Sequence, residues 1–409
     1  MNTVNEGSSL EFEASLAKAQ RLFELLGSQP VSNGPPGRVP STELDSEQTV
    51  IDGSREQILT FLRDEPDVPL WAQEDETGWS VLHFAAHRED AELVKRFIES
   101  GAVWNLVDTC GYTAGDVALS LNNEECYRLI RDAGIRSEFL LHLLENRNED
   151  GQEDGADEEG DRDALILRAE DATPAGSNDA FLEAKLTFTT DERGQELCLV
   201  NAGSTQIGVM MGWERPIMEK TVRLLHQDND EPDFRVLNCG FGLGIIDGLF
   251  ESWSSGPPAL HVIIEPHPDV LAHMKAKGWY SKPNVKILEG KWQDFMDSEE
   301  ILGVGGFDAI YTDPFSESYK DLNEFFERVP DLLRGPDSAF SFFNGLGATN
   351  LLFYDVYTNL AEMHLNELGC TVTWTDVDVH TAQTDGTWGE TRKYFALPYC
   401  RTPLVKMKI

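Results

Sequence analysis

Basic residues are scarce in this chain of 409 residues: 33 Lys and Arg stand against 72 Asp and Glu, which gives a net charge of -39 at pH 7. Binding to nucleic acid or to an anionic membrane requires clustered cations on the protein surface. The charge balance therefore argues against both kinds of contact. It favours basic partners.

Long apolar runs, a signal peptide and paired cysteines are missing as well. No run approaches the roughly 18 apolar residues that a bilayer span requires, and residues 1–6 lack the basic and apolar regions of a signal peptide. The 6 cysteines are scattered and lack paired metal-ligand spacing, which fits reduced thiols. We expect a soluble protein of the cytoplasm and nucleus without disulfides, and we expect a monomer.

The N-terminal third is predicted to be helical and to contain one internal repeat. Residues 10–27 carry apolar side chains at helical spacing before a stretch rich in Pro and Gly, and residues 45–63 predict a second helix. The segment 78–86 is echoed by the segment 111–119, a shift of 33 residues. This shift is the period of ankyrin repeats.

We therefore predict an all-α domain over residues 1–144 with ankyrin-like repeats at about 75–140. Such a module can dock a substrate or partner, or it can be a structural appendage, and the sequence leaves both interpretations open. His83 and His87 have the spacing of a metal-binding pair on a helix. The repeat pattern already explains His83, so no metal site is predicted.

An acidic tract follows the repeats and separates two compositions. Between Glu145 and Asp163 lie ten carboxylates, two arginines and several glycines, a composition that cannot bury a core. We predict a disordered linker over residues 145–175. It is a solvated hinge or, alternatively, an electrostatic lure for a basic substrate.

Residues 176–409 are predicted to form an α/β domain, because short β-branched runs alternate with helical stretches. The predicted strands are 234–238, 261–265, 285–288, 307–312 and 339–343, and the predicted helices are 244–254, 268–279, a short one from Trp292, 321–333 and 349–367. Two further strands, 370–379 and 392–400, are expected to pair antiparallel. A seven-stranded, Rossmann-like sheet closed by such a hairpin is the plan of the class I S-adenosylmethionine-dependent methyltransferases.

A glycine-rich run, Gly240-Phe241-Gly242-Leu243-Gly244, follows the first of these strands. Glycines allow a sharp turn and a close approach of a ligand to the backbone. A dinucleotide fingerprint needs its third Gly or Ala one residue later, where Ile245 stands, so an NAD-dependent dehydrogenase loses support. Glu265 ends the next strand, where a carboxylate can accept hydrogen bonds from both ribose hydroxyls of a cofactor, as in NAD enzymes too.

The segment Gly290 to Asp294 follows the third strand of the alternating region, where methyltransferases place an aromatic residue and a polar partner against adenine. A ring face and a hydrogen bond fit a purine. Trp292 is the candidate ring and Gln293 the candidate polar partner. The alternative interpretation is that Trp292 packs on the core at a helix start.

Two carboxylates are candidates for the reacting group. Glu214 lies among apolar residues, where a bare charge is costly, and Asp313 ends the fourth strand of the alternating region. A carboxylate pair suits a guanidinium, which presents forked N–H donors. We predict that Asp313 accepts the proton of the attacking nitrogen and that Glu214 clamps the cation. Alternatively, Glu214 caps the helix entered at Pro216 and Asp313 is a turn residue.

At these residues the chain resembles a known family. The runs that match are Val209-Met210, Trp213-Glu214, Pro216, Met218, Gly240-Phe241-Gly242, Ile263-Ile264-Glu265, Gly290-Lys291-Trp292, Asp294, Phe307-Asp308, Ile310, Asp313, Phe343-Asn344, Arg392 to Pro398 and Thr402 to Val405. Residues 205–405 resemble guanidinoacetate methyltransferase. With the ankyrin-like segment and the acidic tract in front, the whole chain resembles the fungal protein arginine N5-methyltransferases, or type IV arginine methyltransferases.

The resemblance implies transfer of a methyl group from S-adenosylmethionine to the internal δ nitrogen of a protein arginine, with a large-subunit ribosomal protein as the substrate. It implies that Glu214 and Asp313 grip the guanidino group. The residues that it places around the cofactor are Phe188, Met210, Met218, Phe241, Gly242, Leu243, Gly244, Ile245, Ile246, Glu265, Pro266, His267, Trp292, Gln293 and Asp313.

The resemblance leaves the size of the substrate open. The small-molecule enzyme holds the carboxylate of its substrate near Asn344-Gly345, and here Gly345-Leu346-Gly347 departs from its pattern. A small guanidino compound such as guanidinoacetate is therefore the alternative substrate. A third interpretation, an ankyrin scaffold with a vestigial catalytic fold, is opposed by the presence of Glu214, Glu265 and Asp313.

Overall fold

A computed structural model describes residues 5–27, 55–150, 173–202, 205–227, 231–383, 386–389 and 391–408. The chain divides into two compact units, Met1–Leu141 and His142–Ile409. Among the described helices, none combines the length and the apolar character needed to cross a membrane.

The first unit is built from helices. Its helices are α1 (Asn5–Gly27), α2 (residues 55–64), α3 (Val81–His87), α4 (Ala91–Glu99), α5 (Ala114–Ser120) and the part of α6 (Glu124–Asp150) that ends at Leu141. The prediction of a helix at 10–27 is confirmed. The prediction at 45–63 is confirmed only for its last part, because residues 45–54 lie outside the described range.

Both copies of the internal repeat form a turn followed by a pair of helices. Thr113 caps α5, where its hydroxyl accepts the Asp116 N–H at 3.1 Å. The turns of the two copies are joined by the N–H of Thr109, which donates to the carbonyl of Thr77 at 2.9 Å. The 33-residue shift in the sequence therefore corresponds to a repeated structural unit.

The predicted start of the acidic linker is too early. Helix α6 continues through residues 145–150, because no helix breaker occurs before Gly151. Residues 151–172, which make up most of the predicted linker, lie outside the described range.

Ahead of the main sheet, the second unit contains elements that the sequence patterns did not predict. Helix α7 (Asn178–Glu183) precedes an antiparallel sheet of three strands, β1 (Leu186–Thr190), β2 (Glu196–Ala202) and β3 (Thr205–Met211). Strand β3 ends directly at the 3₁₀ turn Gly212–Glu214, which leads into helix α8. This small sheet therefore positions Glu214.

The main sheet has seven strands in the order β6-β5-β4-β7-β8-β10-β9. Its strands are β4 (Arg235–Cys239), β5 (Leu260–Glu265), β6 (Val285–Glu289), β7 (Ala309–Thr312), β8 (Ala339–Phe342), β9 (Cys370–Asp378) and β10 (Tyr399–Met407). Its helices are α8 (Arg215–His226), α9 (Ile245–Glu251), α10 (Pro268–Ala276), α11 (Glu299–Leu302), α12 (Tyr319–Leu332) and α13 (Leu351–Glu367). The first five strands are parallel, and β10 runs antiparallel to β8 and β9. The predicted parallel sheet with a closing hairpin is confirmed.

Strand β4 lies at the point where the strand order reverses, between β5 and β7. In open α/β sheets, ligands bind beyond the carboxyl ends of the strands at this point. The glycine-rich run, Glu265 and Asp313 follow or end these three strands, so the topology brings them to one edge of the sheet.

The second strand of the closing hairpin was predicted at the wrong place. It was expected at 392–400, but it spans Tyr399–Met407, and its pairing with β9 begins at Tyr399 and Asp378. Residues 392–397 lack the strict alternation of a strand, and Pro398 has no N–H for a ladder. These residues instead form a loop that places Tyr394 beside Glu214.

Candidate active site

Two adjoining cavities open at the carboxyl edge of the main sheet. The glycine-loop cavity comprises about 590 Å³, part of which is open to solvent, and is lined by Asn178, Phe181, Val209, Met210, Cys239, Gly240, Gly242, Ile264, Glu265, Pro266, Val270, Lys291, Trp292, Asp313, Pro314, Phe315 and Glu317. The carboxylate cavity comprises about 910 Å³, part of which is open to solvent, and is lined by Gly208, Val209, Glu214, Thr312, Asp313, Pro314, Phe315, Ser316, Glu317, Ser318, Leu322, Phe343, Gly345, Leu346 and Tyr394. Asp313 lies in the wall that the two cavities share.

The backbone of the glycine-rich run packs against neighbouring groups that leave no room for side chains. Gly240 has a φ of +92°, and a Cβ there would lie 2.6 Å from the carbonyl oxygen of Asp313. Gly242 has a φ of +54°, and a Cβ there would lie 2.9 Å from the sulfur of Met210. Glycine is required at both positions by conformation and by space.

Replacing Gly240 by alanine is expected to lower the free energy of unfolding by more than about 2 kcal/mol, because a positive φ and a backbone clash combine. The matched control is Gly256→Ala. Gly256 has a φ of +111° with no atom within 4 Å of its Cβ position, so only the conformational cost of about 1 kcal/mol is expected there. Denaturant unfolding of both variants measures the difference. Equal losses would contradict the close packing of Gly240 on Asp313.

Glu265 ends β5 as a carboxylate that is only 4 % exposed. Its Oε2 accepts the N–H of Phe241 and its Oε1 accepts the N–H of His267, each at 2.8 Å. Burial raises the pKa of Glu265 to about 7, although these backbone donors oppose the shift. A carboxylate has about four lone-pair sites, so Glu265 retains acceptor capacity for a ligand with two neighbouring hydroxyls.

Trp292 belongs both to the hydrophobic core and to the cavity wall. It is 5 % exposed and packs edge-on against Phe325 at 5.1 Å between ring centroids. Its indole N–H donates to Glu317 at 2.9 Å, and burial raises the pKa of Glu317 to about 7. The core interpretation and the cavity interpretation of Trp292 are therefore compatible.

Glu214 is 2 % exposed at the end of the 3₁₀ turn that follows β3. Its Oε1 accepts the N–H of Met211 at 2.8 Å and the hydroxyl of Tyr394. Burial raises the pKa of Glu214 to about 7, against the effect of these two donors. The carboxylate bonds back to the N–H of Met211 and also lines the carboxylate cavity, so the turn-capping interpretation is compatible with a ligand-binding one.

Asp313 continues the ladder between β7 and β4, since its N–H donates to the carbonyl of Cys239 at 2.9 Å. Burial and the neighbouring charge of Glu214 raise the pKa of Asp313 well above its usual range. No Lys or Arg is among the described residues that line the carboxylate cavity. Three carboxyl groups, those of Glu214, Asp313 and Glu317, thus line a cavity in which the described wall supplies no cation.

Comparison with known proteins identifies close relatives that share one name, protein arginine N-methyltransferase 2. The relative from Cryptococcus neoformans var. neoformans serotype D is 40% identical over 359 residues, which covers 83% of this chain and 89% of the relative. The relative from Aspergillus fumigatus is 38% identical over 345 residues, 77% of each chain. The relative from Neurospora crassa is 35% identical over 401 residues, with 84% of this chain and 90% of the relative covered.

The chain belongs to this fungal protein arginine N-methyltransferase 2 family. No general protein-family model matches it. Among solved structures, spermidine synthase from Thermotoga maritima has a TM-score of 0.37 at 14% identity, over 55% of this chain and 74% of that chain. The O-methyltransferase TomG from Streptomyces achromogenes, solved in complex with SAM, has a TM-score of 0.33 at 14% identity, over 48% of this chain and 80% of that chain.

The residues that the sequence predicted around a cofactor fall into two groups in this family member. Those that line the glycine-loop cavity are Met210, Gly242, Glu265, Pro266, Trp292 and Asp313. Those outside its lining are Phe188, Met218, Phe241, Leu243, Gly244, Ile245, Ile246, His267 and Gln293. Of the two predicted catalytic residues, Glu214 lines the carboxylate cavity alone and Asp313 lines both cavities.

Several residues outside the lining hold the wall in place. Met218 and Ile246 are buried in the core behind the glycine-rich run. Phe188 stacks on the ring of His273 with centroids 4.1 Å apart. His267 is fully buried, and its Nε2 lies 3.1 Å from the carbonyl oxygens of Phe181 and Ala184. Their places in the structure are supporting ones, and their predicted contacts with a cofactor stay predictions.

Sequence reasoning missed several residues of the two cavities. Tyr394, Glu317 and Phe315 line the carboxylate cavity, and Asn178 and Phe181 of α7 line the glycine-loop cavity. Glu317 carried one usable signal, since it follows Asp313 by four residues in the same loop. Within the described residues, no three His, Cys, Asp or Glu side chains are grouped as a metal site.

Proposed function

We propose that this family member transfers a methyl group from S-adenosylmethionine to the internal δ nitrogen of an arginine in a basic protein. The coarser activity, arginine methylation of proteins, is the one named for its fungal relatives. The observation that carries the assignment to this site is the pair Glu214 and Asp313. Both line a cavity whose described lining also contains Glu317 and has no Lys or Arg, which favours a cationic ligand.

The glycine-loop cavity fits S-adenosylmethionine. Glu265 would hold the ribose hydroxyls, the ring of Trp292 would contact adenine, and the backbone at Gly240 and Gly242 would allow close approach of the cofactor. Its lining is mostly apolar with a few polar groups, as is usual for small-molecule sites. When bound, the cofactor supplies an electrophilic methyl group on a sulfonium.

The carboxylate pair addresses the low reactivity of a guanidinium. Its nitrogen lone pairs are delocalised, and its pKa above about 12 keeps it protonated. Glu214 would accept N–H donors from the cation and fix its plane. Asp313 would accept the proton that the attacking nitrogen loses as its new bond to carbon forms. Because Asp313 lies in the wall shared by both cavities, its carboxyl group is available to both ligands.

The rest of the proposal concerns the partner. We propose that the substrate is a ribosomal protein of the large subunit, that the protein acts as a monomer in the cytoplasm and nucleus, and that the helical repeats form an ankyrin-like module. The charge of -39 supports a basic substrate through long-range attraction.

The substrate and the nitrogen are tested with arginine peptides, full-length basic ribosomal proteins and guanidinoacetate, each with S-adenosylmethionine. We expect methylation of a protein arginine, with mass spectra of the product showing fragments of δ-methylarginine. Fragments of ω-methylarginine would contradict the assigned nitrogen. Preferred methylation of guanidinoacetate would support the alternative substrate class.

A further inference from the structure

Tyr394 lies in the loop before β10, and this loop is joined to β3 by the N–H of Arg392, which donates to the carbonyl of Gln206 at 3.1 Å. Tyr394 lines the carboxylate cavity and is partly exposed to it. Its ring packs edge-on against Trp388 at 4.8 Å and lies tilted against Trp213 at 5.9 Å between centroids. Two indole rings therefore restrict the position of its hydroxyl.

That hydroxyl donates to Oε1 of Glu214, the oxygen that also accepts the N–H of Met211. Among the described residues, no donor reaches Oε2. The two oxygens of one carboxylate thus have different surroundings: Oε1 is held by the protein, and Oε2 is not. Terminal torsions of glutamate are broad and roughly two-fold, so such contacts decide which oxygen faces a ligand.

We propose that Tyr394 is a positioning residue, which holds Oε1 of Glu214 so that Oε2 is presented to the guanidinium of the substrate. The inference rests on the proposed function and adds a residue to it. A fixed acceptor matters because the N–H donors of a guanidinium are planar and forked, so its hydrogen bonds are strong only when the acceptor is correctly oriented. Without the hydroxyl, the carboxylate would rotate among several acceptor directions and bind the cation less well.

Tyr394 also affects the charge of Glu214. Donation of its O–H stabilises the ionised carboxylate and opposes the effect of burial on the pKa. The other titratable groups that face Glu214 are Asp313, Tyr311, Cys198 and Cys400. Burial raises the pKa of Tyr311 and of both cysteines, so they stay neutral at pH 7. Asp313 is the one that can share a proton with Glu214.

The test is Tyr394→Phe, with Tyr280→Phe as the matched control. The hydroxyl of Tyr280 donates to a carboxylate oxygen of Glu289 at 2.7 Å, outside the described lining of both cavities. In Tyr394→Phe, we expect kcat/KM for an arginine peptide to fall about 10- to 100-fold, the effect of one hydrogen bond to a charged group. Cofactor affinity should stay within about twofold, because Tyr394 does not line the glycine-loop cavity. The control should match the unmodified protein.

A pH profile separates positioning from a merely structural role. A cation needs Glu214 ionised, so kcat/KM should fall as the pH drops through its pKa. Loss of the donor raises that pKa, and the acid limb of Tyr394→Phe should therefore lie at higher pH than in the unmodified protein. An unmoved acid limb, or a kcat/KM within about twofold, would overturn the proposal.

A double-mutant cycle and a spectroscopic titration complete the test. If Tyr394 acts through Glu214, the phenylalanine substitution should not weaken peptide binding further in Glu214→Gln, as measured by calorimetry. Additive losses would contradict the inference.

Infrared difference spectra, with Glu214→Gln as the reference, report the titration of the Glu214 carboxyl group without any substrate. A higher pKa of Glu214 in Tyr394→Phe than in the unmodified protein supports the contact, even if the peptide is not methylated. An unchanged pKa of Glu214 overturns the proposal.

Discussion

Asp313→Asn is expected to reduce the rate of methyl transfer to an arginine peptide by about 10²- to 10⁴-fold, the usual range for a positioned proton acceptor. Asparagine keeps the shape of the side chain but cannot take a proton from the attacking nitrogen. It also removes one of the two negative charges that hold the cation. Single-turnover rates with saturating peptide measure the chemical step apart from binding.

Cofactor affinity should change little in Asp313→Asn. The main contacts proposed for the cofactor lie on Glu265 and Trp292, so the dissociation constant should stay within about tenfold, or roughly 1.4 kcal/mol. Asp337→Asn makes the same chemical change on the exposed surface and should leave both quantities unchanged. A full rate in Asp313→Asn would remove this residue from the catalytic role.

The stability of the folded protein should reflect the same pair of carboxyls. The pKa of Glu214 is raised to about 7 and that of Asp313 is raised well above its usual range, so the folded state binds more protons than the unfolded chain between the ordinary pKa of a carboxyl and these raised values. The free energy of unfolding contributed by these groups therefore decreases as the pH rises through that window. A bound guanidinium offsets this cost because it stabilises the ionised forms.

The main sheet could be predicted because each of its strands and helices is marked by a pattern within its own segment of sequence. Strands β4, β5, β7 and β8 are buried on both faces and read as short apolar runs, with helical spacing between the strands of the sheet. The ends of parallel strands meet at one edge, so Gly240, Glu265 and Asp313 could be placed together without knowledge of side-chain contacts. Their convergence on one cavity followed from order along the chain alone.

The parts that were missed depend on contacts between distant segments. Tyr394 meets Glu214 across 180 residues of sequence, and no local period marks the loop in which it lies. The expected strand at 392–400 was wrong for the same reason, since tertiary contacts of Tyr394 and the absent N–H of Pro398 outweigh strand propensity. Strands β1 to β3 were not predicted, because they form a small sheet apart from the alternating region.

Glu265→Ala is expected to have the largest effect on cofactor binding. Loss of two hydrogen bonds from hydroxyls to a charged acceptor should raise the dissociation constant of S-adenosylmethionine about 100-fold or more. Calorimetry with the purified protein measures it directly. The control is Glu289→Ala, because Glu289 is the register partner of Glu265 on β6 but is exposed.

The effect should depend on pH in the unmodified protein and disappear in the variant. Burial gives Glu265 a pKa of about 7, and donors on the ribose favour its ionised form. Cofactor affinity should therefore weaken as the pH falls below about 7. Glu265→Ala also leaves the N–H groups of Phe241 and His267 without their acceptor, so its unfolding must be measured in parallel. A stable variant with unchanged affinity would contradict the ribose assignment, whereas weak binding without pH dependence would place the charge elsewhere in the glycine-loop cavity.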